Sequence, residues 1–159
     1  MRRCRPRRAP LLADRLLAVL PAGHRLAQAG IAPLEQLAGE TWIAGCERCR
    51  DHLLRAAAAA GFTPSIAFAT DDYIAVQRLV AAGLGVALLP ELVLDTVQLP
   101  GLVATSLASA PERQIVAITP ASQQPPAVTA TLAALQAASG TLARRHPSAS
   151  ASAPVPGPG

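Results

Sequence analysis

Two cysteines three positions apart are the most reactive pair of side chains in this sequence. Cys46 and Cys49 form a CxxC motif, and a helix is predicted directly after it, over about 50–60. Free N–H groups at the start of a helix lower the pKa of a nearby thiol, as redox-active dithiols require. His52 could add a third ligand for zinc, but no second CxxC follows. The motif therefore indicates either a thiol redox or metal function, or two thiols in a ligand-binding loop.

A second set of residues could bind a ligand without reacting with it. Gly45 and Cys46 follow the predicted strand TWIA, and Thr70 and Asp71 follow the predicted strand SIAFA. In parallel α/β sheets, ligands collect outside the carboxyl ends of the strands, where helix N-termini present free N–H groups. These four residues are therefore the predicted ligand-binding residues. Thr70 and Asp71 could equally serve only as helix caps, each contributing about 1 kcal/mol to stability.

Other catalytic motifs are not supported by the sequence. His24 has no serine or cysteine nucleophile and no aspartate in a recognisable relation to it, so a catalytic triad is not predicted. Gly83 and Gly85 follow a predicted helix and precede a predicted strand, which is the wrong order for a phosphate-binding loop. We therefore predict that the chain is not an enzyme and holds no cofactor or metal ion.

The elements that position these residues alternate between helix and strand. Thr70 or Asp71 is predicted to cap a helix over 72–82, Gly83 supplies its left-handed C-terminal residue, and an apolar strand follows over 86–89. The other predicted strands are 16–20, Thr41–Ala44, Ser65–Ala69, Leu102–Leu107 and 115–119, and the other predicted helices are 33–37, 50–60 and one that begins at Pro126. Because parallel strands need crossover connections, this order predicts an α/β fold with a parallel-rich sheet flanked by helices.

Three blocks of sequence carry a family resemblance. They are LLADRLLAVLPAGHRLA, LEQLAGETWI and TDDYIAVQRLVAAGLGVALLPEL. In this order and spacing they resemble the effector-binding domain of LysR-type transcriptional regulators. The resemblance implies a bilobed fold like that of the type 2 periplasmic binding proteins, with a small, often anionic molecule held between the lobes. It also implies a homo-oligomer in which lobe closure changes how the subunits present winged helix-turn-helix DNA-binding domains.

The position of these blocks suggests a shortened member of that family. Family members reach the LPAGHRLA block only after a DNA-binding domain and the opening of the first lobe, whereas here it begins at residue 20. We therefore expect an N-terminally truncated chain with an incomplete first lobe. The expected segments are a basic disordered arm (1–10), a LysR-like domain (11–145, of which 21–94 is the second lobe and 95–145 returns to the first) and a disordered tail (146–159). A relic without a function of its own is the alternative, followed by a CxxC thiol redox or metal protein.

Charge and hydropathy limit the partners of the chain. Of its 14 basic residues, five are arginines within the first eight positions, and the remaining nine are outnumbered by ten acidic residues. The folded part is therefore not basic, and we predict no specific DNA binding by this chain alone. No apolar run reaches the roughly 18 residues of a membrane span, and Asp14 and Arg15 interrupt any signal-peptide core. We therefore predict a cytoplasmic protein without membrane association.

Overall fold

The computed structural model describes residues 6–109, 111–121 and 125–145. These residues form two compact units. The larger unit comprises Arg15–Pro111, and the smaller unit combines the described residues up to Asp14 with those from Glu112 onward. The larger unit includes the whole of the expected second lobe, 21–94, and also contains the strand Leu102–Leu107.

Seven strands and four α-helices make up the described chain. In order they are β1 (Arg7–Pro21), β2 (Ile31–Ala32), β3 (Thr41–Ala44), α1 (Glu47–Ala59), β4 (Ser65–Ala69), α2 (Tyr73–Ala81), β5 (Ala87–Pro90), α3 (Glu91–Thr96), β6 (Leu102–Leu107), β7 (Glu112–Thr119) and α4 (Pro126–Arg145), with a 3-10 turn at Leu34–Leu37. None of these helices is long and apolar enough to cross a lipid bilayer.

The larger unit contains strands of two sheets, the pair β3-β4 and a sheet in the order β2-β6-β1-β5. β3 and β4 are parallel, and a parallel bridge between Trp42 and Val86 continues the pairing toward β5. β1, in contrast, is antiparallel to both of its neighbours here, so that Val19 lies opposite Ala87 of β5 and Ala104 of β6. β2 is parallel to β6. The predicted parallel arrangement therefore holds for β3 and β4, the strands that precede the candidate site, whereas the sheet that contains β1 is mixed.

The core of the larger unit lies on both faces of β1, because successive side chains of a strand point to opposite faces. One cluster of buried residues includes Ala18, Leu20, Leu37, Trp42 and Leu53. The other cluster includes Leu17, Val19, Ile43, Val76 and Leu89. Neighbouring residues of β1 therefore contribute to different clusters. This two-sided burial explains why the strand is apolar over consecutive positions instead of alternating.

Gln77 is a polar residue placed inside this apolar environment. Its side chain is fully buried in α2. The amide Nε2 donates a hydrogen bond to the Val97 carbonyl oxygen (3.0 Å), and Oε1 accepts one from the Leu99 N–H (2.9 Å). Both ends of the amide are therefore paired with backbone. Gln77 satisfies the polar backbone of the segment between α3 and β6, which has no strand partner of its own.

Several predicted elements are confirmed, and others differ from the structure. β3, β4 and β6 have the predicted bounds, α4 begins at Pro126 as predicted, and Gly83 has the expected left-handed backbone, with φ of 77°. α1 begins at Glu47 instead of residue 50, because the Cys46 carbonyl already accepts a helical hydrogen bond from the Arg50 N–H (2.8 Å). α3 was not predicted, since a helix of six residues is too short to show apolar periodicity.

The smaller unit contains the pairing of β7 with β1. Because of this pairing, Arg7–Pro21 forms a strand that begins inside the arm expected to be disordered over 1–10. The Asp14 carboxylate is almost completely buried and accepts hydrogen bonds from Arg113 Nε and Nη2, both at 2.7 Å. The side chains of Val128, Leu132 and Leu135 in α4 line an apolar cavity of about 390 Å³ with β7. Residues 1–5 of the predicted arm, and the predicted tail over 146–159, lie outside the described residues.

Candidate functional site

The predicted binding loops meet at one edge of the β3–β4 pair. Because the two strands are parallel, their carboxyl ends lie at the same edge. The Thr70 N–H donates a hydrogen bond to the Ala44 carbonyl oxygen (3.1 Å), which holds the two loops together. A cavity of about 350 Å³ opens at this edge. Its described lining residues are Gly45, Glu47, Arg50, Ala69, Thr70 and Asp71.

Three of the four predicted site residues therefore lie on one cavity. Gly45, Thr70 and Asp71 line it, while Cys46 occupies the N-cap position of α1 between two lining residues. The sequence prediction missed Glu47 and Arg50. Both lie in the first turn of α1, which begins three residues before its predicted start, so the available signal was a charged residue inside the CxxC motif and another directly after it. Arg50 adds a guanidinium to the anion-favouring start of a helix.

The cap of α2 differs from the prediction that Thr70 or Asp71 supplies it. Asp72 is the N-cap, and its Oδ1 accepts hydrogen bonds from the N–H groups of Ile74 (2.7 Å) and Ala75 (3.2 Å). The Thr70 hydroxyl oxygen instead accepts a weaker bond from the Asp72 N–H (3.3 Å). The backbone turn places Asp72, not its predecessors, one residue before the first helical position. Asp71 is consequently left to face the cavity.

Charges of both signs surround the cavity. The α1 N-terminus and the exposed Arg50 side chain favour an anion, whereas the carboxylates of Glu47 and Asp71 favour a positive or hydrogen-donating group. The Thr70 hydroxyl can donate or accept a hydrogen bond. This arrangement suits a small polar molecule that carries more than one functional group. All of these charged side chains are exposed, so their individual interactions are screened by water.

The two thiols lie beside this cavity. The Cys46 thiol donates to Cys49 Sγ at 3.2 Å, and Cys49 Sγ lies 3.5 Å from the Tyr73 hydroxyl. Backbone and side-chain hydrogen bonds from Cys49 lower the pKa of Cys46; burial opposes this, the Arg48 backbone N–H lowers the pKa further, and the Asp71 carboxylate raises it. When Cys46 is ionised, the direction of this hydrogen bond reverses, and the Cys49 thiol donates to the Cys46 thiolate. The first turn of α1 therefore favours a thiolate.

Gly45 allows the close packing of this loop. A Cβ at residue 45 would lie 2.8 Å from Cys49 Cβ and 3.3 Å from its Sγ, which is closer than side chains pack. Any larger residue would displace the Cys49 side chain. Gly45 therefore contacts both features of the loop, since it lines the cavity and borders the thiol pair.

A metal site at the CxxC motif is not formed by the described residues. They contain no group of three or more His, Cys, Asp or Glu side chains close enough to share a metal ion. His52, the predicted third ligand, has its Nδ1 at 3.2 Å from Arg55 Nη2. The described part of the chain therefore offers two thiols but no complete ligand set for zinc, which takes four ligands in structural sites.

A larger cavity of about 490 Å³ lies between the start of α2 and α3. Its lining is mostly apolar and includes Tyr73, Ile74, Leu92, Val93 and Val97. It shares Asp71 with the smaller cavity, but Gly45, Thr70 and any cationic side chain are missing from its described lining residues. The smaller cavity has the helix N-terminus and converging polar groups that orient a ligand, so it is the stronger candidate.

Comparisons with known proteins give one consistent result. A family model for the LysR substrate binding domain matches residues 6–140. Among solved structures, the PA01 protein from Pseudomonas aeruginosa matches with a TM-score of 0.74 and 23% identity, over 85% of this chain and 49% of that one. The CcmR regulatory domain of Synechocystis PCC6803, in complex with 2-PG, gives 0.76 and 17%, over 87% and 69%. The BenM effector binding domain with its effector benzoate gives 0.72 and 20%, over 89% and 64%. No curated protein matches the sequence.

These matches confirm the predicted fold class, which is that of the type 2 periplasmic binding proteins. At identities below 25%, the structural likenesses concern the fold alone. The chain spans about half the length of the PA01 protein.

Proposed function

Because this chain belongs to the LysR substrate-binding domain family, we propose that it binds a small-molecule effector in the cavity at the carboxyl ends of β3 and β4. The observation that carries the proposal is the convergence of Gly45, Thr70 and Asp71, from two separate loops, on one cavity at the start of α1. Its volume of about 350 Å³ suits a small ligand, since pockets for small molecules commonly measure about 300 to 1,000 Å³.

The effector carries an anionic group in this proposal. The α1 N-terminus, the Arg50 guanidinium and the Thr70 hydroxyl supply donors for a carboxylate or a similar anion. Benzoate, the effector of the BenM domain, is such a carboxylate. Glu47 and Asp71 in turn favour an effector with a second group that is cationic or donates hydrogen bonds.

The biological role in this proposal is regulation through effector binding, without a catalysed reaction. In a complete regulator of this family, effector binding would stabilise one arrangement of the lobes and thereby bias a homo-oligomer toward one DNA-bound state. Such a regulator would act in the cytoplasm, where its DNA target lies. This role belongs to the whole regulator, of which the chain supplies the effector-binding part.

The proposal is tested by titrating benzoate and shikimate into the isotopically labelled chain and following backbone amide chemical shifts. We expect saturable shifts at the amides of Gly45, Thr70 and Asp71. Benzamide, a neutral molecule of the same shape as benzoate, should bind more weakly because it lacks the anion. Saturable shifts that fall only on other parts of the chain would contradict the proposed site.

Two substitutions then test which side chains bind the anionic group of the ligand. Arg50→Ala and Thr70→Val should each weaken the binding of a responsive carboxylate about tenfold, because a hydrogen bond to a charged group contributes roughly 1.5 to 3 kcal/mol and exposure reduces that value. Arg55→Ala is the matched control, since Arg55 lies on the same helix but does not line the cavity. Equal affinities for all three variants would contradict the role given to Arg50 and Thr70.

A further inference from the structure

The thiol pair at the start of α1 supports an inference that does not depend on effector binding. We propose that Cys46 and Cys49 form a reversible intramolecular disulfide when they meet a low-molecular-weight disulfide such as oxidised glutathione. The β3–α1 loop would then carry a covalent modification site in addition to the cavity. The family assignment and the fold do not require such a site.

The geometry places the two sulfurs within reach of each other. Cys46 Sγ and Cys49 Sγ are 3.2 Å apart in the thiol form, whereas a disulfide has an S–S distance of about 2.05 Å. Closing the bond therefore requires a movement of only about 1 Å, which side-chain rotation can supply. Both residues are partly exposed, so a small oxidant can reach them. A third donor for a metal ion is absent among the described residues around the pair.

The reaction proceeds by two thiol–disulfide exchanges. The Cys46 thiolate attacks one sulfur of oxidised glutathione, which forms a mixed disulfide and releases one glutathione thiolate. The Cys49 thiolate then attacks the Cys46 sulfur, which forms the intramolecular bond and releases the second glutathione. The protein loses two protons and two electrons, and the oxidant is reduced to two glutathione molecules. Reduction reverses both steps.

The surroundings assign different roles to the two cysteines. Hydrogen bonds from Cys49 lower the pKa of Cys46, so Cys46 is the thiolate that attacks first. Cys49 lies 3.5 Å from the Tyr73 hydroxyl, which can donate to the Cys49 thiolate when the disulfide is reduced. Tyr73 is therefore a positioning residue for Cys49. Gly45 leaves the space that Cys49 needs to stay close to Cys46.

The test uses the full chain with Cys4→Ser, which removes the third cysteine of the sequence. The protein is equilibrated in a series of buffers with increasing ratios of oxidised to reduced glutathione, quenched with an alkylating reagent and weighed by intact-mass spectrometry. We expect one transition, from a doubly alkylated species to an unalkylated species whose mass is two hydrogens below that of the reduced, unalkylated protein. In the same background, Cys46→Ser or Cys49→Ser should show only a single glutathione adduct.

Two results would overturn the proposal. One is a protein that accumulates one or two glutathione adducts across the series without an internal disulfide. The other is a pair of cysteines that become protected at different glutathione ratios, since a single bond must protect both together. Both results are read on the unsubstituted pair, so they do not depend on whether a serine variant folds.

The roles assigned to Cys46 and Cys49 are tested by measuring how fast each thiol is alkylated. In the reduced protein, Cys46 should be alkylated faster than Cys49 at neutral pH, and this rate should fall only when the pH drops below the lowered pKa of Cys46. Cys49→Ala removes the side-chain donor and should shift the profile of Cys46 toward higher pH, with circular dichroism of the same samples as the check on folding. Faster alkylation of Cys49 would contradict the assignment of Cys46 as the attacking thiolate.

Discussion

Gly85→Ala should destabilise the larger unit by about 2 to 3 kcal/mol. Gly85 precedes Val86, which forms an isolated parallel bridge to Trp42 and so connects β3, which carries the candidate site, to the chain leading into β5 of the other sheet. A Cβ at residue 85 would lie 2.5 Å from the Thr41 carbonyl oxygen and 3.2 Å from its carbonyl carbon. The obstructing atoms belong to the backbone. A side-chain rotation therefore cannot relieve the clash.

The magnitude follows from the two ways in which the chain can respond. If the strands keep their register, the overpacked contact costs roughly 1 to 3 kcal/mol. If they separate, two backbone hydrogen bonds are weakened or lost, from the Val86 N–H to the Thr41 oxygen (2.8 Å) and from the Ile43 N–H to the Val86 oxygen (2.9 Å). Each contributes about 0.5 to 1.5 kcal/mol, and the fully buried side chain of Trp42 also loses packing. Either response therefore lowers the free energy of unfolding by a similar amount.

The assay is urea unfolding followed by tryptophan fluorescence. Trp42 is the only tryptophan in the sequence and is fully buried at the bridge, so its signal reports on the larger unit. With a denaturant dependence of roughly 1 to 3 kcal/mol per molar urea, the midpoint should fall by about 1 to 2 M. Gly39→Ala is the control for adding a methyl group, because a Cβ at residue 39 would have nothing within 4 Å of it.

Gly83→Ala measures backbone strain without a clash, whereas Gly85, with φ of 157°, combines backbone strain with the clash. Gly83 has φ of 77° but open space around its Cβ position, so its substitution should cost only the roughly 1 to 2 kcal/mol of a left-handed alanine. We therefore expect the loss of stability to increase from Gly39→Ala through Gly83→Ala to Gly85→Ala. An unfolding midpoint for Gly85→Ala equal to that of Gly39→Ala would refute the argument that β3 and β5 approach too closely for a side chain.

Four further outcomes are expected. Asp72→Ala should lower the free energy of unfolding by about 1 kcal/mol through loss of the α2 cap, whereas Asp71→Ala should leave it unchanged within about 0.5 kcal/mol in the same urea titration. Gln77→Leu should cost about 2 to 4 kcal/mol because it leaves two backbone groups without their partner, and a smaller loss than that of Asp72→Ala would contradict this role. Arg113→Met should destabilise the smaller unit by roughly 3 to 5 kcal/mol by leaving the buried Asp14 carboxylate without this partner, as followed by amide exchange of β7. Amides of α4 should exchange faster than those of α2, since none of the α4 side chains described over 126–142 is buried; equal protection would count against a loosely held helix.

The sequence predicted best those elements whose ends are set by local chemistry. Gly83 ends α2 through a left-handed residue and Pro126 begins α4, and both signals depend only on the residues themselves. The bounds of β3 and β4 were also predictable, because a glycine follows β3 and a proline precedes β4, and both residue types commonly mark turns. The sequence placed Gly45, Thr70 and Asp71 at the correct edge because parallel strands bring their carboxyl ends together.

The remaining features depend on contacts between distant parts of the chain. β1 is longer than its apolar run because β7, about 100 residues away, pairs with it. Arg50 could not be assigned to the cavity, because its position beside the loop after β4 depends on how the start of α1 packs, which the local sequence does not define. The choice of Asp72 over Asp71 as the cap depended on a turn of the backbone that neither aspartate reveals by its type.

The short connection between β3 and α1 borders both the ligand cavity and the Cys46–Cys49 thiol pair. Gly45 is the residue that contacts both features. It lines the cavity on one side, while on the other a Cβ would strike Cys49 at 2.8 Å. A substitution of Gly45 would therefore disturb both features and could not tell them apart. Arg50→Ala changes the cavity but neither thiol, and Cys49→Ser changes the thiol pair but no cavity-lining residue. Effector binding and disulfide formation can therefore fail independently, because each depends on a side chain that the other does not use.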